Sequence, residues 1–200
     1  MILRRWGEVA AVVRRHGVLI VFIVIVASMF VTTSTFGTFQ NLRNVLQQNS
    51  IIGIIACGMT FAIILGGFDL SVGSMTALAS VVGATLMIDL GTAGIPIGII
   101  GAVAACLLVG ATNGWLIAYL GVNPFVATLG TMTVVRGLIY VATNASPRFG
   151  VQYSFTTLGL GRLIGIPNPA ILFLIVAAAL GFVLHRTRFG HYVYAVGGNS

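Results

Sequence analysis

The apolar residues of this 200-residue chain gather into long, nearly unbroken runs separated by short polar stretches. Runs of this kind predict helices that are apolar all round, whereas strict alternation or a one-sided stripe marks an element with one face in water. Six runs stand out, over residues 17–31, 50–65, 71–88, 95–120, 125–142 and 169–184. They predict an all-α, polytopic membrane helix bundle of about six spans, forming a single transmembrane domain over 1–200. Several runs fall short of the ~20 residues that cross a bilayer, which leaves room for one re-entrant or broken helix.

The polar stretches complete the pattern. Residues 1–16 carry Arg4, Arg5, Arg14, Arg15 and His16 and predict a cytoplasmic leader. A charged start before a short apolar core also describes a signal peptide, but no small-x-small cleavage site follows, so 17–31 reads as the first span. Within 32–49, Phe36, Phe39, Leu42, Val45 and Leu46 recur at helical spacing and predict a short amphipathic helix at the interface. Asp89-Leu90-Gly91-Thr92 and Gly121-Val122-Asn123-Pro124 read as turns, 143–168 with Pro147 and Pro167 as an extracytoplasmic loop, and 185–200 as a cytoplasmic tail. An even number of spans puts both termini on one side. Arg4, Arg5, Arg14, Arg15, Arg186 and Arg188 on that side outnumber Arg43, Arg148 and Arg162 on the other, which places both ends in the cytoplasm.

Composition excludes whole classes. Apolar residues make up 58% of the chain, charged residues 6%, and the mean hydropathy is +1.08. A soluble domain carries about a quarter charged residues, so most of this surface faces a bilayer. The formal charge of +7 comes from arginines at span ends and not from one basic stripe, which argues against a nucleic-acid partner. Cys57 and Cys106 sit inside apolar runs with no Cys/His cluster, so no metal or cofactor is expected in the chain. His16, His185 and His191 lie in the flanks, far from Asp69 and Asp89, and no catalytic constellation can be assembled from them. No G-x-x-x-x-G-K-[ST] loop is present, so the chain is not expected to be an enzyme or to split ATP by that route.

Two features remain. Gly66-Gly67-Phe68-Asp69-Leu70-Ser71-Val72-Gly73-Ser74 sets one of only three acidic residues, two hydroxyls and three glycines between two apolar runs. Gly66-Gly67 can end one helix while Asp69 caps the next, accepting from backbone N–H groups near Ser71 and Val72. An acid between membrane runs also marks a solute pathway, and the two roles are compatible. Gly66, Gly67, Asp69, Ser71 and Gly73 are therefore candidate hinge or pathway residues. Arg136 joins them because it lies roughly 18 Å into a helix that starts near Pro124, where it is expected to face the bundle or a cavity, or to snorkel or pair with a carbonyl. Asn113 joins them as a hydrogen-bonding group, for a solute or between helices. The second feature is a stripe, Gly94, Gly98, Ala102, Cys106, Gly110 and Gly114, with one small side chain per turn, which predicts a helix-packing ridge.

Several blocks taken together resemble the permease subunits of bacterial ABC importers for monosaccharides, the ribose-, xylose- and galactose-type systems. They are Asn41-Leu42 through Gln47-Gln48, Gly58-Met59-Thr60, Gly67-Phe68-Asp69-Leu70-Ser71-Val72-Gly73-Ser74, Phe125-Val126-Ala127-Thr128-Leu129-Gly130, Arg136-Gly137, Thr143-Asn144 with Ser146-Pro147, and Thr187-Arg188-Phe189-Gly190 leading to Tyr194-Ala195-Val196-Gly197-Gly198-Asn199. The resemblance implies a multi-pass protein of the bacterial inner membrane that pairs with a second permease copy, as homo- or heterodimer. It implies a periplasmic or lipid-anchored sugar-binding protein as donor and a cytoplasmic ATPase that uses ATP. Arg188, Gly190, His191, Gly197, Gly198 and Asn199 are then candidate ATPase-side contacts, His191 standing where arginine is common. Family members continue past the Gly-Gly-Asn, so the chain looks like the N-terminal part of a longer permease. Related permeases carry autoinducer-2, nucleosides or branched amino acids; an ion-coupled secondary carrier and a non-transporting scaffold are the readings from other classes.

Overall fold

A computed structural model describes the backbone of residues 2–198 and the side chains of residues 16–91 and 93–198. In chain order the elements are α1 (Ile2–Thr32), α2 (Phe39–Ile64), α3 (Val72–Asp89), one 3-10 turn (Gly91–Ala93), α4 (Gly94–Ala118), α5 (Pro124–Thr143), α6 (Tyr153–Leu160), a two-residue strand pair β1 (Arg162–Leu163) and β2 (Ile166–Pro167), α7 (Asn168–Arg186) and α8 (Arg188–Gly197). Among the described residues, α2, α3, α4, α5 and α7 are long and apolar enough to cross a membrane, and α1 contains a shorter apolar stretch, His16–Thr32. The protein is an all-α polytopic bundle with almost no sheet.

The chain divides into two compact units, Met1–Leu46 and Gln47–Ser200. In the first, α1 ends in a tight turn closed by the edge-on contact of Phe30 and Phe36, whose ring centroids lie 5.1 Å apart. Thr38 starts α2 by accepting from Asn41 N at 3.2 Å. Arg43 lies over the Phe39 ring, 3.9 Å from its centroid. The amphipathic stretch expected as a separate interfacial helix is instead the first turns of α2. No proline interrupts residues 39–64, so once Thr38 caps the helix nothing in the polar stretch ends it.

In the second unit, α3 and α4 pack most closely. A Cβ at Gly98 would stand 2.8 Å from the Gly83 carbonyl oxygen and 2.7 Å from Met87 Cγ, and one at Gly94 only 2.9 Å from Met87 Cα. Backbone meets backbone here, as small residues permit between membrane helices. The stripe on α4 is used in part: Gly94 and Gly98 are buried against α3, and Cys106 Sγ donates to Met75 O at 3.5 Å. A Cβ at Gly110 or Gly114 would meet nothing within 4 Å. Elsewhere, Gly53 of α2 faces the Phe173 ring of α7.

Two polar segments hold more structure than expected. The 143–168 loop contains α6 and the β1–β2 hairpin, whose strands pair Arg162 with Pro167 and Leu163 with Ile166. The 185–200 tail contains α8, which buries Gly190 and Val193 and leaves Phe189, Tyr192 and Val196 exposed.

Replacing Gly98 with alanine is expected to destabilise the chain by about 1–3 kcal/mol, because its methyl group forces two backbones apart. Gly110→Ala is expected to be neutral or stabilising by up to about 1 kcal/mol, since helix propensity improves and nothing is displaced. Thermal unfolding in detergent checks both.

Candidate functional site

The turn between α2 and α3 is built almost entirely by local rules. Gly66, at φ 81°, reverses the chain after α2. Its N–H bonds to Ile63 O and that of Gly67 to Ala62 O, both at 3.0 Å, which closes the helix end with paired 5→2 and 6→1 bonds. Gly67 also lets the turn approach α5, since a Cβ there would already touch Pro124 Cβ at 3.4 Å. Asp69 then opens α3. Its Oδ1 accepts from Ser71 N at 2.8 Å and from the Ser71 hydroxyl at 2.5 Å. Ser71 occupies the formal cap position but makes no side-chain cap bond of its own. The carboxylate does that work from two residues upstream, at the positive end of the helix.

Ser71 is fully buried and its hydroxyl passes the bond onward. The Ser71 hydroxyl gives its proton to Asp69 Oδ1, so a lone pair faces α4. There Asn113, 5% exposed, donates Nδ2 to Ser71 Oγ at 3.1 Å. Its Oδ1 is buried and unpartnered. Ser74 closes the α3 side by donating to Ser71 O at 2.8 Å. On α5 the Thr128 hydroxyl lies 2.8 Å from Pro124 O and 3.2 Å from Phe68 O. Four helices thus converge on one short turn.

Asp69 also borders open space. A groove of about 380 Å³ runs between α2 and α3 from Asp69 past Met59 and Thr76 to Cys106. A second, of about 590 Å³, shares Met75, Ala79 and Cys106 with it and continues along α4 to Gly110. Both fall in the size range of small-molecule sites. Gly73 faces open space.

Of the residues singled out from sequence, Gly66, Gly67, Asp69, Ser71 and Asn113 come together. Arg136 does not. It lies eight residues beyond Thr128, roughly 12 Å along α5, and its side chain is exposed on the surface of this chain. The reason is helical geometry: α5 buries Ala127, Thr128 and Val135, and the next position turns about 100° away from Val135. Thr128 was not singled out; a hydroxyl one turn after the proline that opens α5 was the available signal. Asn123 caps α5 by accepting from Phe125 N at 2.9 Å.

The candidate ATPase-side residues Arg188, Gly190, His191, Gly197 and Gly198 lie on or just after α8, while Asn199 lies outside the described residues. Thr187 caps α8 by accepting from Gly190 N at 3.3 Å, and His191 Nδ1 is 2.8 Å from Thr187 O. Gly190 presses on the Leu184 carbonyl and Gly197 on the Ile64 carbonyl, with no room for a Cβ at either. Phe61 and Phe189 add a ring contact at 6.1 Å. The tail helix therefore rests on the last turns of α2, directly ahead of Gly66.

Residues 41–200 match the family model described as branched-chain amino acid transport system / permease component. The ribose import permease protein of Escherichia coli is 40% identical over 193 residues, covering 91% of this chain and 57% of that protein. The L-arabinose ABC transporter permease protein of Azospirillum brasilense is 38% identical, covering 98% of this chain and 58% of that protein. The D-allose transport system permease protein of Escherichia coli is 37% identical, covering 93% and 57%. The chain thus spans somewhat more than half the length of these relatives. No solved structure matches it.

Removing the Asp69 charge while keeping an acceptor separates capping from other roles. Asp69→Asn is expected to cost under about 1 kcal/mol in folding stability, and Asp69→Ala about 1–2 kcal/mol, because alanine leaves the Ser71 N–H and hydroxyl without their acceptor. Unfolding in detergent, read side by side, checks this order.

Proposed function

We propose that this chain, which belongs to the branched-chain amino acid transport system / permease component family, forms the membrane-spanning part of an ABC importer for a monosaccharide. The observation that carries the reading is the set of relatives at about 40% identity, named as permeases for ribose, L-arabinose and D-allose. Five span-length apolar helices supply the membrane body such a permease needs. In this reading two permease copies form the pore. A periplasmic or lipid-anchored binding protein delivers the sugar, and a cytoplasmic ATPase supplies ATP binding and hydrolysis. The N-terminus faces the cytoplasm.

The geometry supports a route for coupling. Gly197 and Phe189 of α8 rest on Ile64 and Phe61 of α2, and Ile64 precedes by two residues the glycine that reverses the chain. A displacement of α8 by the ATPase would reach the α2–α3 turn through these contacts. The turn would pass it to α4 through Asn113 and to α5 through Thr128. ATP binding need only stabilise one of two arrangements of these helices for the groove beside Asp69 to face alternate sides.

Reconstitution of the full-length permease with its ATPase and binding protein into vesicles tests the proposal. Uptake of labelled ribose, arabinose or allose that requires ATP is the expected result. Uptake that persists without the ATPase and follows an ion gradient would overturn it in favour of a secondary carrier. Uptake of leucine but none of the three sugars would reassign the solute. In the same assay Gly197→Ala is expected to lower ATP-dependent uptake at least tenfold with the ATPase still assembled, and Asp69→Asn to retain it if the carboxylate acts as a cap.

A further inference from the structure

The 143–168 segment is not used by the transport reading, yet it is built in detail. Its hairpin turns at Ile164-Gly165, with φ 51° and 79°. Paired positive φ values belong to the two-residue turn that ordinarily takes Asn-Gly or Gly-Gly. Isoleucine is among the least suited residues there, because its branched Cβ crowds the backbone. The strained side chain is also 94% exposed, so packing within the chain does not explain it.

The segment is nevertheless held firmly. Asn168, the first residue of α7, donates Nδ2 to Thr157 O at 2.9 Å and its backbone N–H to Gly161 O at 3.0 Å. Gln47 of α2 donates to Gly159 O at 3.0 Å. Gly161 sits so close to Thr157 O and Asn168 Nδ2 that a Cβ has no place. Both clamping side chains mark the same boundary. Gln47 stands just before the apolar run 50–65, and Asn168 just before the run 169–184. The clamp therefore sits where two apolar runs begin. Ile164 is four residues from Asn168, at most about 13 Å of extended chain, which brings the headgroup layer, about 5–8 Å deep on each side of the hydrocarbon, within its reach.

Composition agrees with that depth. Phe149 and Tyr153 are 82% and 84% exposed, and Leu163 is exposed beside Ile164. Arg148 and Arg162 are exposed; no acidic residue occurs between 90 and 200, and Asp89 ends α3 at the turn whose Gly91 would carry a Cβ 3.9 Å from Gln152 Nε2. Aromatic rings, aliphatic tips and cations are what a phospholipid interface accepts. We infer that α6 and the β1–β2 hairpin form a lipid-binding foot, seating Leu163 and Ile164 at the acyl boundary with Arg148 and Arg162 at the phosphate level. The continuity of the hairpin with α7 makes the bilayer its occupant.

Spin labels at Ile164→Cys and, separately, at Tyr153→Cys test this, in a Cys57→Ala, Cys106→Ala background of the full-length protein. The carrier is a nanodisc of phosphatidylethanolamine and phosphatidylglycerol, and the reading is relaxation by dissolved oxygen against a water-soluble nickel chelate. The expected result is a several-fold preference for oxygen at both sites. Aqueous exposure at either site overturns the inference. So does protection that arises only when a soluble binding protein is added, which would assign the surface to protein docking.

Discussion

The asymmetry of a carboxylate, which accepts hydrogen bonds and does not donate them, orders the centre of this structure. Asp69 takes the proton of Ser71, Ser71 turns a lone pair toward α4, and Asn113 must present its amide nitrogen. Reversing any one of these directions leaves two acceptors or two donors face to face in a buried place, where an unmade bond costs about 1–3 kcal/mol. One acid thus sets the sense of a relay that ties α3 to α4. The neighbouring carbonyl of Phe68 ties the same turn to α5. The buried, unpartnered Oδ1 of Asn113 marks where that relay stops.

Around this polar centre, close approach takes the place of a hydrophobic driving force, which a bilayer does not supply between helices. Gly83, Gly94 and Gly98 bring α3 and α4 backbone to backbone; Gly53 admits Phe173; Gly190 and Gly197 seat α8 on two carbonyls. The open half of the α4 stripe differs in kind. Gly110 there borders a groove, so small side chains serve both contact and space on one helix face.

The sequence was informative where structure is local. Two glycines followed by an acid and a serine specify the end of α2 and the start of α3 without outside help, and the family blocks carried the class of protein. Long-range contacts left no such trace. Nothing near Gln47 says that it reaches Gly159, 112 residues away, and Thr128 looks like any helical threonine until Phe68 is beside it. Arg136 shows the other side of this. Depth along a helix follows from counting, but direction depends on which face the neighbours bury. The amphipathic period of 36–46 was visible as well; its continuity with the next run was not, because polarity alone does not end a helix.

The contact of α3 with α4 limits how the protein can move. Two helices separated by a layer of long side chains can slide, because rotamers yield. With Gly98 on the Gly83 carbonyl and Gly94 on the Met87 backbone, contact between backbones sets the spacing at this end of the pair, with the side chains of Leu86 and Met87 packed beside it. Shear at that end would lift one backbone over the other, so this part of α3 and α4 moves as a unit. Any conformational cycle must tilt that unit as a whole, and the bending must be taken up beyond it, toward the turns at Gly66 and Gly121, both of which already hold positive φ.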